Sequence, residues 1–163
     1  MKKSILILVI AFLFNSCSQS ITFNKEAYRG LKNNFFWEAN EYEARLATNG
    51  TLIITGGSTT DEMIIYLNSS GKGTYTLGIN NAVKAIYSES PNGTESIFDT
   101  TIARQGGING TIVGEGKVEI TANDGATISG KFKFNAVNAD ANSDQVYVNF
   151  KEGVFNNIPI TKL

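Results

Sequence analysis

Few side chains in this chain are equipped for chemistry, because its 163 residues include no histidine and one cysteine, Cys17. Ser-His-Asp and Cys-His catalysis, histidine-ligated metals, zinc ribbons and an internal disulfide framework are excluded on that count. Oxygen ligands, carboxylates and aromatic rings remain. Asn138-Ala139-Asp140-Ala141-Asn142-Ser143-Asp144 carries oxygen-bearing side chains at alternate positions, which makes Asp140, Asn142 and Asp144 a calcium candidate. The closing half of such a loop is missing: Gln145 and Lys151 stand where an EF-hand-like loop begun at Asp140 needs glycine and glutamate, so a plain polar turn with no metal is expected.

Acid pairs for glycoside hydrolysis can be drawn from Asp61, Glu62, Asp99, Glu115, Glu119, Asp124 and Glu152. Such chemistry needs two carboxyls about 5–9.5 Å apart in a cleft, and these residues fall in turns or on expected solvent faces. No catalytic residue, no cofactor and no enzymatic activity is expected. Trp37 and Tyr42 are the candidates for stacking on a small ligand or glycan, since such rings pair an apolar face with a polar handle; packing in the core is the alternative.

The elements that must position these groups begin after a leader. Met1-Lys2-Lys3-Ser4 is basic, an apolar run follows from Ile5 to Phe14, and Asn15-Ser16-Cys17 closes it. Ten apolar residues span about 15 Å as a helix, half of the roughly 30 Å hydrocarbon core, so the segment reads as a secretion signal over 1–16 rather than a membrane anchor. It resembles the bacterial lipoprotein signal, which implies that Cys17 is lipidated and becomes the N-terminus. Without residues 1–16 the chain loses Lys2 and Lys3 and keeps 12 basic against 15 acidic residues, net −3. The remaining lysines and arginines are scattered singly along the chain, so neither nucleic acid nor electrostatic adhesion to anionic lipid is expected. The stretch after Cys17 lacks the acidic cluster that resembles a surface-export signal in Bacteroidetes lipoproteins. The expected location is therefore the cell envelope, at the outer membrane and facing the periplasm, with the cell surface as the alternative.

Residues 17–34 read as a lipidated tether, with one or two helical turns at Lys25–Lys32 and a reach of about 55 Å. The alternative is that Tyr28 and Leu31 pack on the domain and shorten it. From Phe35 to Leu163 apolar runs and alternation are bounded every eight to twelve residues by Gly, Asn, Asp or Ser clusters, which predicts nine or ten short strands. Asn40-Glu41, Asn49-Gly50, Pro91-Asn92-Gly93 and Asn123-Asp124-Gly125 are the predicted tight turns. Val118 and Ile120, then Ile128, Phe132 and Phe134, then Val146, Val148 and Phe150 share inward faces, while Lys117, Glu119, Lys131 and Lys133 form an expected solvated ladder. One apolar and one polar face imply an antiparallel sheet, and with no amphipathic helix the fold expected is an all-β sandwich or flattened meander barrel.

Four segments in order, Gly73–Gly78, Gly114–Ile120, Thr127–Ala136 and Gly153–Ile160, resemble an uncharacterised β-rich lipoprotein domain family of Bacteroidetes. The resemblance implies an envelope location and no known activity; the shared motifs are turns and core strands, with Gly130 a bulge or close-packing position. Asp99-Thr100-Thr101 also resembles the O-glycosylation acceptor pattern of secreted Bacteroidetes proteins, with Thr100 as acceptor. The reading is a lipid-anchored, non-enzymatic protein-interaction or structural module. The alternative is a small-ligand or glycan-binding lipoprotein, lipocalin-like or carbohydrate-binding-like.

Overall fold

The computed structural model describes residues 25–105 and 110–163. They form strands with no helix between them: β1 (Ala27–Lys32), β2 (Phe35–Glu38), β3 (Glu41–Leu46), β4 (Leu52–Gly57), β5 (Asp61–Leu67), β6 (Gly73–Gly78), β7 (Lys84–Glu89), β8 (Ser96–Asp99), β9 (Ala103–Gln105), β10 (Thr111–Val113), β11 (Glu115–Asn123), β12 (Thr127–Asn138) and β13 (Tyr147–Lys162). Thirteen strands exceed the nine or ten expected, and the extra ones are informative. β1 lies in the expected tether, while β9 and β10 flank the glycine-rich 106–110 stretch and carry too few residues to show a period. β1 is neither tether nor helix. Its alternate residues Tyr28 and Gly30 face the core, so at most residues 17–26 are left as tether.

Eleven strands make one mixed sheet in the order β2-β1-β13-β3-β4-β5-β7-β8-β12-β11-β6, with β13 also pairing β12; β9 and β10 form a separate hairpin. The extra β13–β12 pairing closes a ring through β3, β4, β5, β7 and β8. From that ring β1 and β2 extend on one side and β11 and β6 on the other, so the fold is not a clean barrel. It is better described as a six-stranded sheet, β6-β11-β12-β13-β1-β2, covered by a five-stranded one, β3-β4-β5-β7-β8. The C-terminal ends of β13 and β12 supply the two corners, through Ile160–Lys162 on β3 and Val137–Asn138 on β8. The β13–β3 pairing is parallel, against the expectation of a purely antiparallel sheet.

Corners need bent strands, and β13 is bent twice. Its register against β12 shifts between Phe132 and Phe134 and again between Ile128 and Gly130. Glu152 and Asn157, at φ 50° and 51°, sit at those two places. A residue in the left-handed region beside an extra, unpaired position is how a bulge increases local twist. Three of the predicted turns hold, with Gly50, Gly93 and Gly125 all at positive φ. Asn40-Glu41 does not join a hairpin, because β2 pairs β1 and the chain then crosses to the other sheet. The true first hairpin turns at Asn33-Asn34, φ 50° and 69°, the left-handed pair that a two-residue type I′ turn requires.

The interior is filled with rings. Tyr28 packs edge-on against Trp37, Phe132 and Phe155 at centroid distances of 5.6, 5.5 and 6.4 Å. Phe150 meets Trp37, Tyr87 and Phe134 at 5.5, 5.1 and 5.0 Å. Two glycines make room for two of these rings. Gly130 faces Phe155 across β12–β13, and Gly153 faces Phe132 in the reciprocal pair. A Cβ on Gly130 would lie 2.2 Å from the Glu119 carbonyl oxygen and 2.3 Å from the Phe155 ring; one on Gly153 would lie 2.4 Å from the Phe132 ring. The Tyr28 hydroxyl is buried without a hydrogen-bond partner, and burial pushes its pKa well up.

Two stability outcomes follow, both measured by urea denaturation. Gly130→Ala is expected to cost about 2 kcal/mol or more, because a backbone oxygen and a wedged ring must both move. Tyr28→Phe is expected to raise stability by about 1 kcal/mol, because the polar atom it removes has no partner.

Candidate functional site

The most connected polar cluster joins the two sheets at one rim. β1 ends on Lys32 and β2 carries Trp37 on the six-stranded side; β5 begins at Asp61 and β7 ends at Tyr87 and Glu89 on the other. The Lys32 ammonium donates to Glu89 Oε2 at 2.6 Å and to the Tyr87 hydroxyl at 2.9 Å. Trp37 Nε1 donates to Asp61 Oδ2 at 3.0 Å. Asp61 Oδ1 accepts from the Ser58 amide and hydroxyl, and Gln145 Nε2 donates to Glu89 Oε1 at 3.1 Å. The Tyr87 hydroxyl lies 3.3 Å from Asp61 Oδ2 and 3.1 Å from Glu89 Oε2, and its single proton serves one of them at a time.

Charge follows from this wiring. Burial pushes the Glu89 carboxyl up, but the hydrogen bond and charge of Lys32, with Gln145 and Tyr87 behind them, outweigh it and hold its pKa below 4.5. Burial first, then the Glu89 and Asp61 carboxylates, drive the Tyr87 phenol far above its ordinary range. Near neutrality Glu89 is ionised and Tyr87 keeps its proton. The cluster thus acts as a clamp between sheets, its carboxylate oxygens engaged by structural donors.

The residues singled out in the sequence do not converge on it. Trp37 is 6% exposed and belongs to the core, so its ring offers no face to a glycan. Tyr42 is half-buried, with its hydroxyl 3.4 Å from Glu26 Oε2; it lines a polar hollow with Glu41, Glu43 and Glu62. Thr100 is fully buried and its hydroxyl accepts the Ala85 amide at 3.0 Å, so it is closed to an O-linked sugar. Asp99 folds the local turn instead, taking the Thr101 amide and hydroxyl at 2.7 Å each. At Asp140, Asn142 and Asp144 a guanidinium holds the ground. Arg104 of β9 donates to the Asp140 and Ser143 carbonyl oxygens at 3.0 Å each, and Asp140 Oδ1 accepts the Asn142 amide. No group of three or more histidine, cysteine, aspartate or glutamate residues placed to hold a metal ion occurs among the described residues. Cys17 lies outside the described residues.

Two surfaces carry more than the sequence suggested. The outer face of the five-stranded sheet sets Ile53 opposite Tyr66, Ile64 opposite Ile86, and Ile97 beside them opposite Ser88. Ile97 is 41% exposed, and the other four are half-buried. This apolar centre has a polar edge, where the Lys84 ammonium lies 5.5 Å from the Tyr66 ring centre and 3.6 Å from Asp99 Oδ2. Each strand here is apolar on both faces; alternation alone reads one face as core and gives no reason for the second. The outer face of the six-stranded sheet is polar. It holds two shallow hollows of about 490 and 670 Å³ that share Lys117 and Lys133.

Residues 24–159 match the family described as Domain of unknown function (DUF6252), and the chain belongs to it. No curated protein and no solved structure matches.

The rim clamp sets a pH dependence. A carboxyl whose folded-state pKa is lowered stabilises the fold above its unfolded value and loses that contribution as pH falls through the folded value. Glu89→Gln is therefore expected to cost about 1.5 kcal/mol at neutral pH. The difference from wild type should shrink once pH drops below about 4.5 and vanish beneath the folded-state pKa, as read by urea melts across that range.

Proposed function

We propose that this DUF6252 domain is a lipid-anchored, non-enzymatic protein-interaction module of the cell envelope. In this reading residues 1–16 are the signal and Cys17 carries the lipid at the outer membrane, with the domain facing the periplasm. The single observation that carries the interaction role is the apolar outer face of Ile53, Ile64, Tyr66, Ile86 and Ile97. A core needs one apolar side per sheet, and a second is retained where something covers it. The occupied clamp at Lys32, Asp61, Tyr87 and Glu89 supports binding over catalysis. A lipocalin-like ligand role is less well supported, since the interior that would hold the ligand is packed with the rings of Tyr28, Trp37, Phe132 and Phe150.

Mild cross-linking in the native host, followed by recovery of the lipidated protein and mass spectrometry, tests this. A stoichiometric envelope protein is expected with wild type and is expected to be lost with Ile64→Lys, a variant whose melting temperature must stay near that of wild type. A Cys17→Ser strain reports whether recovery depends on anchoring. Recovery of the protein alone would shift the assignment to a small ligand or glycan.

A further inference from the structure

The lysines that lie singly along the chain are gathered by the fold. Lys117 of β11 stands directly opposite Lys133 of β12, and Lys133 faces the β13 bulge that carries Lys151. Lys151 in turn pairs Leu31 of β1, and Leu31 pairs Phe36 of β2. One row across five adjacent strands thus reads Lys117, Lys133, Lys151, Leu31, Phe36, with neighbours spaced about 4.8 Å from strand to strand. Like charges directly opposite one another disfavour a sheet, and the ion pairs Lys32–Glu89, Glu43–Arg45 and Lys84–Asp99 do not involve the row. Glu115 and Glu119 flank the row, and Glu152 shares with Lys151 the β13 bulge that faces Lys133. At its far end Phe36 is 66% exposed on an edge strand.

Three cations followed by two apolar side chains match the chemistry of a phospholipid surface, with phosphate at one end and hydrocarbon at the other. We infer that the outer face of the six-stranded sheet lies on an anionic phospholipid leaflet, the lysine row on headgroup phosphates and Leu31 and Phe36 in the interface. This inference departs from the expectation of no electrostatic adhesion to anionic lipid. The docking needs no acyl chain and is tested without one.

Residues 18–163 hold every strand of the closed ring and lack the lipid site. They are mixed with vesicles of phosphatidylcholine alone or with phosphatidylglycerol, at low and high salt, and floated on a gradient. Wild type is expected to float with the phosphatidylglycerol vesicles at low salt and to be released by high salt. The Lys117→Gln/Lys133→Gln double variant is expected to partition about thirtyfold less, and Phe36→Ser to fall as well. A Lys72→Gln/Lys162→Gln double variant, equal in charge change but off the row, should match wild type. Thermal melts confirm that each variant is folded. Absence of flotation, equal flotation with phosphatidylcholine alone, or equal loss in the off-row variant would overturn the docking face. None of these outcomes bears on the apolar face of the other sheet, which cross-linking reads separately.

Discussion

The pairing of β12 with β13 is the constraint on which the rest of the structure depends. These two strands meet over a reciprocal exchange in which Gly130 makes room for the Phe155 ring and Gly153 for the Phe132 ring. Each glycine is demanded by space rather than by a turn, since a side chain at either position would displace a ring that other rings rest on. Phe132 supports Tyr28, and Tyr28 supports Trp37. The same pair carries the bulges that bend β13 far enough to leave one sheet and enter the other. Loss of that bend would separate β13 from β3 and open the ring.

At the rim, a polar solution does what the rings do inside. Lys32, Asp61, Tyr87 and Glu89 come from strands of both sheets, and their hydrogen bonds tie the two sheets together beside the aromatic core. A partly buried network of this kind stabilises only while its members are partnered. The arrangement leaves two outer faces of contrasting character, an aliphatic one on the five-stranded sheet and a charged one on the six-stranded sheet. They point away from each other, so two different neighbours can be met at once.

Much of this fold was legible in the residues. The all-β class, the inward faces of Val118 and Ile120 and of Ile128, Phe132 and Phe134, and the turns at Gly50, Gly93 and Gly125 all follow from period-two alternation and left-handed glycine chemistry. Gly130 as a close-packing position was also readable. The topology was not, because nothing local shows that β2 turns back on β1, that β6 leaves its neighbours β5 and β7 for β11, or that β13 runs parallel to β3. Two candidate residues turn on exposure, which local sequence does not show: Thr100 is read from a three-residue pattern and Trp37 from its ring alone, and both are buried. The clamp draws on residues far apart in the chain, as the 57 positions between Lys32 and Glu89 show; only the sheet register brings them together.

The first described strand and the last complete one another, since β1 lies along Phe150–Asn156 of β13 and β3 along its final residues. Contacts this distant in sequence slow folding, because long loops must close before the pairing can reward them. A chain emerging N-terminus first therefore has only β2 beside β1, and Tyr28 lacks its Phe155 neighbour, until β13 is available. Assembly of the domain waits for β13, and a chain cut short before it leaves β1, β3 and β12 with open edges for a protease to find.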